Sequence, residues 1–279
     1  MEKAPTNNES NDRDDSVHFT RHSKSTYGTY SKINASENPT GPVDVEDQVT
    51  PDLPPAGVDL ANEKAVELLS QFNPETDALF FVSSSEARAL ETAAIYKGIA
   101  EGSNFEIVSP ENVRGDLAEK IGEGDIRVVE NLSLNIENTL VSSVFNPETH
   151  LGEINWDAVD KETKDKWQEA REVINGNDFG SWGANFLHNS AEVAKIFPEI
   201  KATKELYETQ FNNLVRLTKF GMKKAAEANH EKNIKILAFG HENYMGYALQ
   251  EHLGEGSIGN CETVSIDFDN ENQLQMERL

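Results

Sequence analysis

Two stretches of this chain, Asp77–Ser83 (DALFFVS) and residues 234–240 (IKILAFG), are apolar almost without interruption. A strand with one face in water alternates apolar and polar residues, and these do not. Both faces must therefore be covered, which is the condition of central strands in a sheet with helices on either side. The flanking sequence supplies the helices. Val58, Ala61, Ala65, Leu68, Leu69 and Phe72 recur at helical spacing. EARALETAAIYKGIA (86–100), residues 201–229 and HENYMGYALQEHLG, closed by Gly254, read as further helices. Shorter strands are predicted at Val17–Thr20, FEIVS, IRVVENL and on either side of an Asp-Asn-Glu-Asn turn near the end. Strand and helix in alternation predict an α/β fold, a three-layer α/β/α sandwich with a mostly parallel sheet.

Residues 1–15 (MEKAPTNNESNDRDD) have almost no apolar content and are expected to be a disordered acidic tail. The α/β domain is expected over 16–279, with a long loop at 34–55. Within it, 138–200 reads as a cap or insertion holding Trp156, Trp167 and Trp182 and a helical stretch at 157–174. For these tryptophans a small core of the insertion's own is the ordinary reading, and lining a substrate pocket is the alternative.

Charge narrows the partners. With 49 acidic and 25 basic side chains the net charge is −24 over 279 residues, a surface that repels nucleic acid and anionic membrane. Solubility or a salty cytoplasm explains that number sufficiently. Cys261 is the single cysteine, so neither an intrachain disulfide nor a cysteine zinc cluster is possible. No apolar run is long enough to span a membrane, and no signal-peptide pattern opens the chain, so a cytoplasmic protein is expected. Oligomeric state leaves no mark on the sequence.

Basic residues are scarce, so where they gather is informative. The first strand ends at Arg21 and His22. The second ends at Ser83 and Ser84, and the helix after it carries Arg88 in its first turn. The strand IKILAFG ends at Gly240 and His241, again before a helix. In a parallel α/β sheet, ligands bind beyond the carboxyl ends of the strands. Two arginines, two histidines and two helix N-termini at that edge suit a dianionic phosphoryl group. Each residue alone has an ordinary reading, as a loop histidine or a salt-bridged arginine.

Taken in order, these segments resemble the histidine phosphatase superfamily, also called phosphoglycerate mutase-like. FTRHSKS resembles its Arg-His-Gly-x-Ser/Thr signature, and DLPPAGVDLA its Leu-Thr-x-x-Gly helix start. SSSEARALETA matches Ser-x-x-x-Arg-Ala-x-x-Thr-Ala, AFGHEN matches the second histidine, and NCETVSIDFD resembles the closing strand. The resemblance covers about 16–100 and 201–270. It implies that His22 accepts the phosphoryl group, that Arg21 and Arg88 hold its oxygens, that His241 donates to them, and that Ser25 also touches the phosphate. It further implies an acid/base carboxylate after the second arginine, for which Glu137 is the first choice and Glu130 the next. The implied activity is metal-independent, cofactor-free hydrolysis of a phosphomonoester, on a phosphorylated small molecule or phosphoprotein. Mutase-type transfer or a non-catalytic phospholigand-binding relative are the alternatives.

Ser23 departs from the glycine usual after the nucleophile, and Lys24 stands where glutamate is common. Lys24 either adds charge near the phosphate or faces solvent. His18 reads as structural, and His150, His188, His230 and His252 carry no assignment. GEGSIG (254–259) has dinucleotide-binding spacing but follows a helix and precedes a strand, the wrong context. HENYM has Met245 where a zinc-protease helix needs its second histidine.

Overall fold

A computed structural model describes residues 14–25, 53–84, 87–108, 126–128, 160–176, 182–196, 204–228 and 230–279. In chain order these form β1 (Ser16–Arg21), α1 (Pro55–Leu69), β2 (Asp77–Ser83), α2 (Ala87–Gly102), β3 (Glu106–Ile107) and β4 (Ile126–Val128). Then follow α3 (Lys161–Asn175), α4 (Trp182–Ile196), α5 (Lys204–Ala228), β5 (Asn233–Gly240), α6 (Glu242–Leu253), β6 (Thr263–Phe268) and β7 (Leu274–Arg278).

The described strands make one sheet in the order β3-β2-β5-β1-β6-β7, with β4 paired to β2 beyond β3. β2 and β5 are the apolar runs of the sequence, and every residue of β2 is buried. Their alternation sorts two cores. Phe80, Val82, Ile236 and Ala238 join Val17 and Phe19 against Leu214 of α5 and Met245 and Leu249 of α6. Leu79, Phe81, Leu237 and Phe239 face Ala61, Ala65 and Leu68 of α1 and Ala89, Ala93 and Tyr96 of α2. Three layers result, as the double-sided apolar pattern predicts.

Register decides what the sheet delivers. β1, β2 and β5 are mutually parallel, with Arg21 opposite Gly240 and Ser83 opposite Phe239. Three strands therefore stop within a residue of one another at the same edge. The last two strands run differently: β6 is antiparallel to β1 and β7 to β6.

Local chemistry fixes the helix ends. Asp160 caps α3 by accepting from the Thr163 N–H at 2.9 Å, satisfying one of the helix's otherwise unpaired first-turn donors. α6 ends at Gly254, whose φ of 76° is the left-handed conformation glycine adopts without strain. In the 138–200 region, Trp167, Ala170 and Ile174 form the buried stripe of α3. α3 packs on α4, and α4 reaches α6. Trp156 and the Trp182 side chain lie outside what is described. Asp14 and Asp15, the last residues of the acidic opening, bond to β5. The Asp14 carboxylate holds the buried Lys235 ammonium at 2.8 Å, and Asp15 accepts from the Ile234 N–H at 2.7 Å. Among the described residues no helix is long and apolar enough to cross a membrane.

Candidate active site

His22 stands one residue past β1, tied to the neighbouring strand by its N–H, which donates to the Gly240 carbonyl at 2.9 Å. Its Nδ1 lies 2.6 Å from the Ser23 carbonyl oxygen. A carbonyl only accepts, so Nδ1 carries the proton and Nε2 keeps its lone pair. Burial, then the charge of Arg88, lowers the His22 pKa to about 3; the Ser23 bond opposes this, and the charge of Arg21 adds the smallest lowering. The ring is thus a neutral base with one assigned free nitrogen.

Ser23, where the family pattern has glycine, is fully buried. Its φ is not among the positive values of the described non-glycine residues, so a Cβ is accommodated without left-handed strain. The hydroxyl donates to the Gly57 carbonyl at 2.6 Å, and the Ser23 N–H donates to Thr92 Oγ1 at 3.0 Å. Gly57 itself has no latitude: a Cβ there would lie 2.3 Å from the Lys24 carbonyl oxygen. That contact ties the start of α1 to the loop carrying His22. The Lys24 side chain is exposed, and Ser25 is half-buried at the end of the described loop.

His241 stands just before the first turn of α6 in an extended conformation (φ −123°), makes no capping bond with its side chain, and is buried. Its ring centroid is 5.0 Å from that of His22. Nε2 sits 2.9 Å from Ser84 Oγ, and Arg88 Nη2 lies 3.5 Å from Nδ1, at the limit of hydrogen-bond reach. Burial, then the neighbouring His22, Arg88 and Arg21, holds its pKa well below the usual histidine value. Arg88 is placed by α2, and its carbonyl accepts from the Thr92 hydroxyl at 2.6 Å, so Thr92 joins the arginine's turn to the loop carrying His22.

Arg21 is held from the far end of the chain. Its Nη1 donates to the Ile258 carbonyl at 2.6 Å and pairs with Glu242 Oε2 at 3.0 Å. Asn260 Nδ2 donates to the His22 carbonyl at 3.0 Å, and the Cys261 N–H donates to the Arg21 carbonyl at 3.0 Å. Cys261 makes this bond at φ 58°, a left-handed conformation uncommon for a residue with a Cβ. The glycine-rich GEGSIG stretch thus contributes to a brace behind Arg21 and His22, the use its sequence did not disclose.

The structure brings His22, Arg21, Arg88 and His241 to one sheet edge. Glu137 and Glu130 lie outside the described residues. The sequence marks Ser84 as a strand end and Ser84 and Thr92 as fixed motif positions without giving either a partner, and it does not single out Asn260 or Glu242. The available signal for Glu242 was its place beside His241 in the first turn of a helix. Among the described residues, no group of three His, Cys, Asp or Glu side chains is placed to hold a metal ion.

No protein-family model matches this chain, and no curated protein sequence matches it. Solved structures do. Phosphoglycerate mutase from Bacillus anthracis str. Sterne superposes with a TM-score of 0.50 at 14% identity, over 95% of this chain and 92% of that one. Phosphoserine phosphatase from Entamoeba histolytica, solved with 3-phosphoglyceric acid, gives 0.44 at 14% identity, over 94% and 95%. Identity this low speaks for architecture alone, and it is the first of these superpositions that carries it. The chain has the phosphoglycerate mutase-like, histidine phosphatase fold.

Proposed function

We propose that this protein is a phosphomonoester hydrolase that works through a phosphohistidine on His22, without metal or other cofactor. The observation that carries the reading is the 2.6 Å bond from His22 Nδ1 to the Ser23 carbonyl, which leaves Nε2 unprotonated beside two arginines. Nε2 attacks phosphorus, a P–N bond forms and the P–O bond to the leaving group breaks. Arg21, Arg88 and His241 stabilise the charge on the equatorial oxygens, and Ser25 adds a hydroxyl; each fixed donor of this kind is worth about 10²–10³ in rate. A carboxylic acid protonates the leaving oxygen, then as carboxylate takes a proton from the water that attacks phosphorus; a P–O bond forms, the P–N bond breaks, and inorganic phosphate and neutral His22 are released. Glu137 is our candidate for that acid, with Glu130 next.

The fold shared with a phosphoglycerate mutase supports phosphoryl chemistry, on a phosphorylated small molecule or a phosphoprotein. Mutase-type transfer and phospholigand binding without turnover are the competing readings. We assign 138–200 as the cap that selects the substrate, since α4 of that region packs on α6, the helix that begins beside His241.

A para-nitrophenyl phosphate assay with EDTA present tests the reading. Turnover that persists with chelator and vanishes in His22→Ala supports it. Loss of activity on chelation, or no turnover of any phosphoester by wild type, overturns it.

A further inference from the structure

We infer that Glu242 is a positioning residue for Arg21, fixing which edge of the guanidinium meets a phosphoryl group; the inference rests on the phosphatase reading above. The Glu242 side chain is only 7% exposed, and its Oε2 lies 3.0 Å from Arg21 Nη1. The Ile258 carbonyl takes the same nitrogen at 2.6 Å. Nη1 is thus engaged twice, by a hydrogen bond to Ile258 and an ion pair with Glu242. Nε, by contrast, is buried without a hydrogen-bond partner among the described residues. The edge formed by Nε and Nη2 is the one these two groups do not engage; Nε is enclosed there without a partner, and the two parallel N–H groups match two oxygens of a phosphate that enters that enclosure.

Both partners of Nη1 are themselves anchored. Glu242 opens α6 directly after His241, so one helix start sets the second histidine and the arginine's tether together. An acidic residue is also favourable at a helix N-terminus. Ile258 lies in the loop gripped by Arg278, whose Nη2 donates to the Ser257 carbonyl at 2.7 Å and whose Nη1 pairs with Glu262. A flexible arginine beside a dianion needs no acid of its own to bind charge. A buried carboxylate there opposes the anion electrostatically, and holding the fork is the compensating gain that explains its presence.

Charge and positioning are separated by two neutral, similarly sized variants. Glu242→Gln and Glu242→Met lose the same charge, but only glutamine keeps an oxygen for Nη1. We expect Glu242→Met to fall about tenfold or more below Glu242→Gln in kcat/KM on an aryl phosphate, with inorganic phosphate binding weakened in parallel and melting temperatures matched. Arg21→Lys reports from the other side of the pair: it lowers phosphate affinity, and adding Glu242→Gln to it costs little more. Equal kcat/KM and equal phosphate affinity in the Gln and Met variants overturn the inference. So does a Glu242→Gln defect confined to alkyl phosphates, whose poor leaving groups need a proton, because Glu242 is then the acid. Wild type that neither binds inorganic phosphate nor hydrolyses any ester overturns the phosphatase reading, and this inference with it.

Discussion

The Nδ1 of His22 donates to the carbonyl of Ser23, the next residue in the chain, across 2.6 Å. That bond sets the tautomer, and burial with Arg88 and Arg21 nearby keeps the ring uncharged down to about pH 3. Histidine-resolved NMR titration checks this. The His22 and His241 rings are expected to show no protonation step between pH 8 and 5, whereas an exposed histidine titrates near 6.5. A His22 step near 6.5 contradicts the account.

Arg88 reaches His241 Nδ1 with one Nη2, and its planar fork is what two phosphate oxygens require. Arg88→Lys keeps the charge and loses the fork. Expected is a fall of about 10²-fold in kcat/KM with an unchanged melting temperature, measured by steady-state kinetics.

Gly57 is packed under the Lys24 carbonyl, with 2.3 Å available to a Cβ. Gly57→Ala must push the backbone of the loop carrying His22, because the obstructing atom is main chain. We expect about 1–3 kcal/mol of destabilisation by urea unfolding, with reduced kcat.

How much of this was legible in sequence follows from which contacts are local. The buried strands β2 and β5 announce themselves by composition, and the residues ending β1, β2 and β5 could be placed on one edge before any coordinate was known. Ser23 could be noted as a departure, but not its hydroxyl bond to Gly57, 34 residues away. Glu242 reads locally as an ordinary first-turn acid. Its partner Arg21 lies on the neighbouring strand, and only the register of β1 against β5 joins them. The loop behind Arg21 escaped for the same reason, since Ile258 and Asn260 find Arg21 and His22 through β6. The acid/base carboxylate, by contrast, was assigned by resemblance to a segment outside the described residues.

Away from the site, buried His18 has its pKa lowered to about 4, by burial first and then by Lys235, with Asp14 opposing. Its Nε2 lies 2.8 Å from Ser16 Oγ. The folded state favours the neutral ring, so the unfolded chain binds more protons between about pH 4 and 6.5. Stability therefore is full above pH 6.5 and falls as pH drops through that window, by up to about 1.4 kcal/mol per unit from this residue. Urea unfolding at pH 7.5 and pH 5 measures the loss, and His18→Gln should reduce it. An unchanged pH dependence in that variant contradicts the assignment.

The most direct test is to trap the intermediate. Wild-type protein mixed with a phosphoester in EDTA, quenched in alkali and digested, should yield a phosphoryl adduct on the peptide carrying His22, stable to base and lost in acid. Its absence throughout steady turnover, its appearance on another residue, or turnover by His22→Ala would contradict the mechanism.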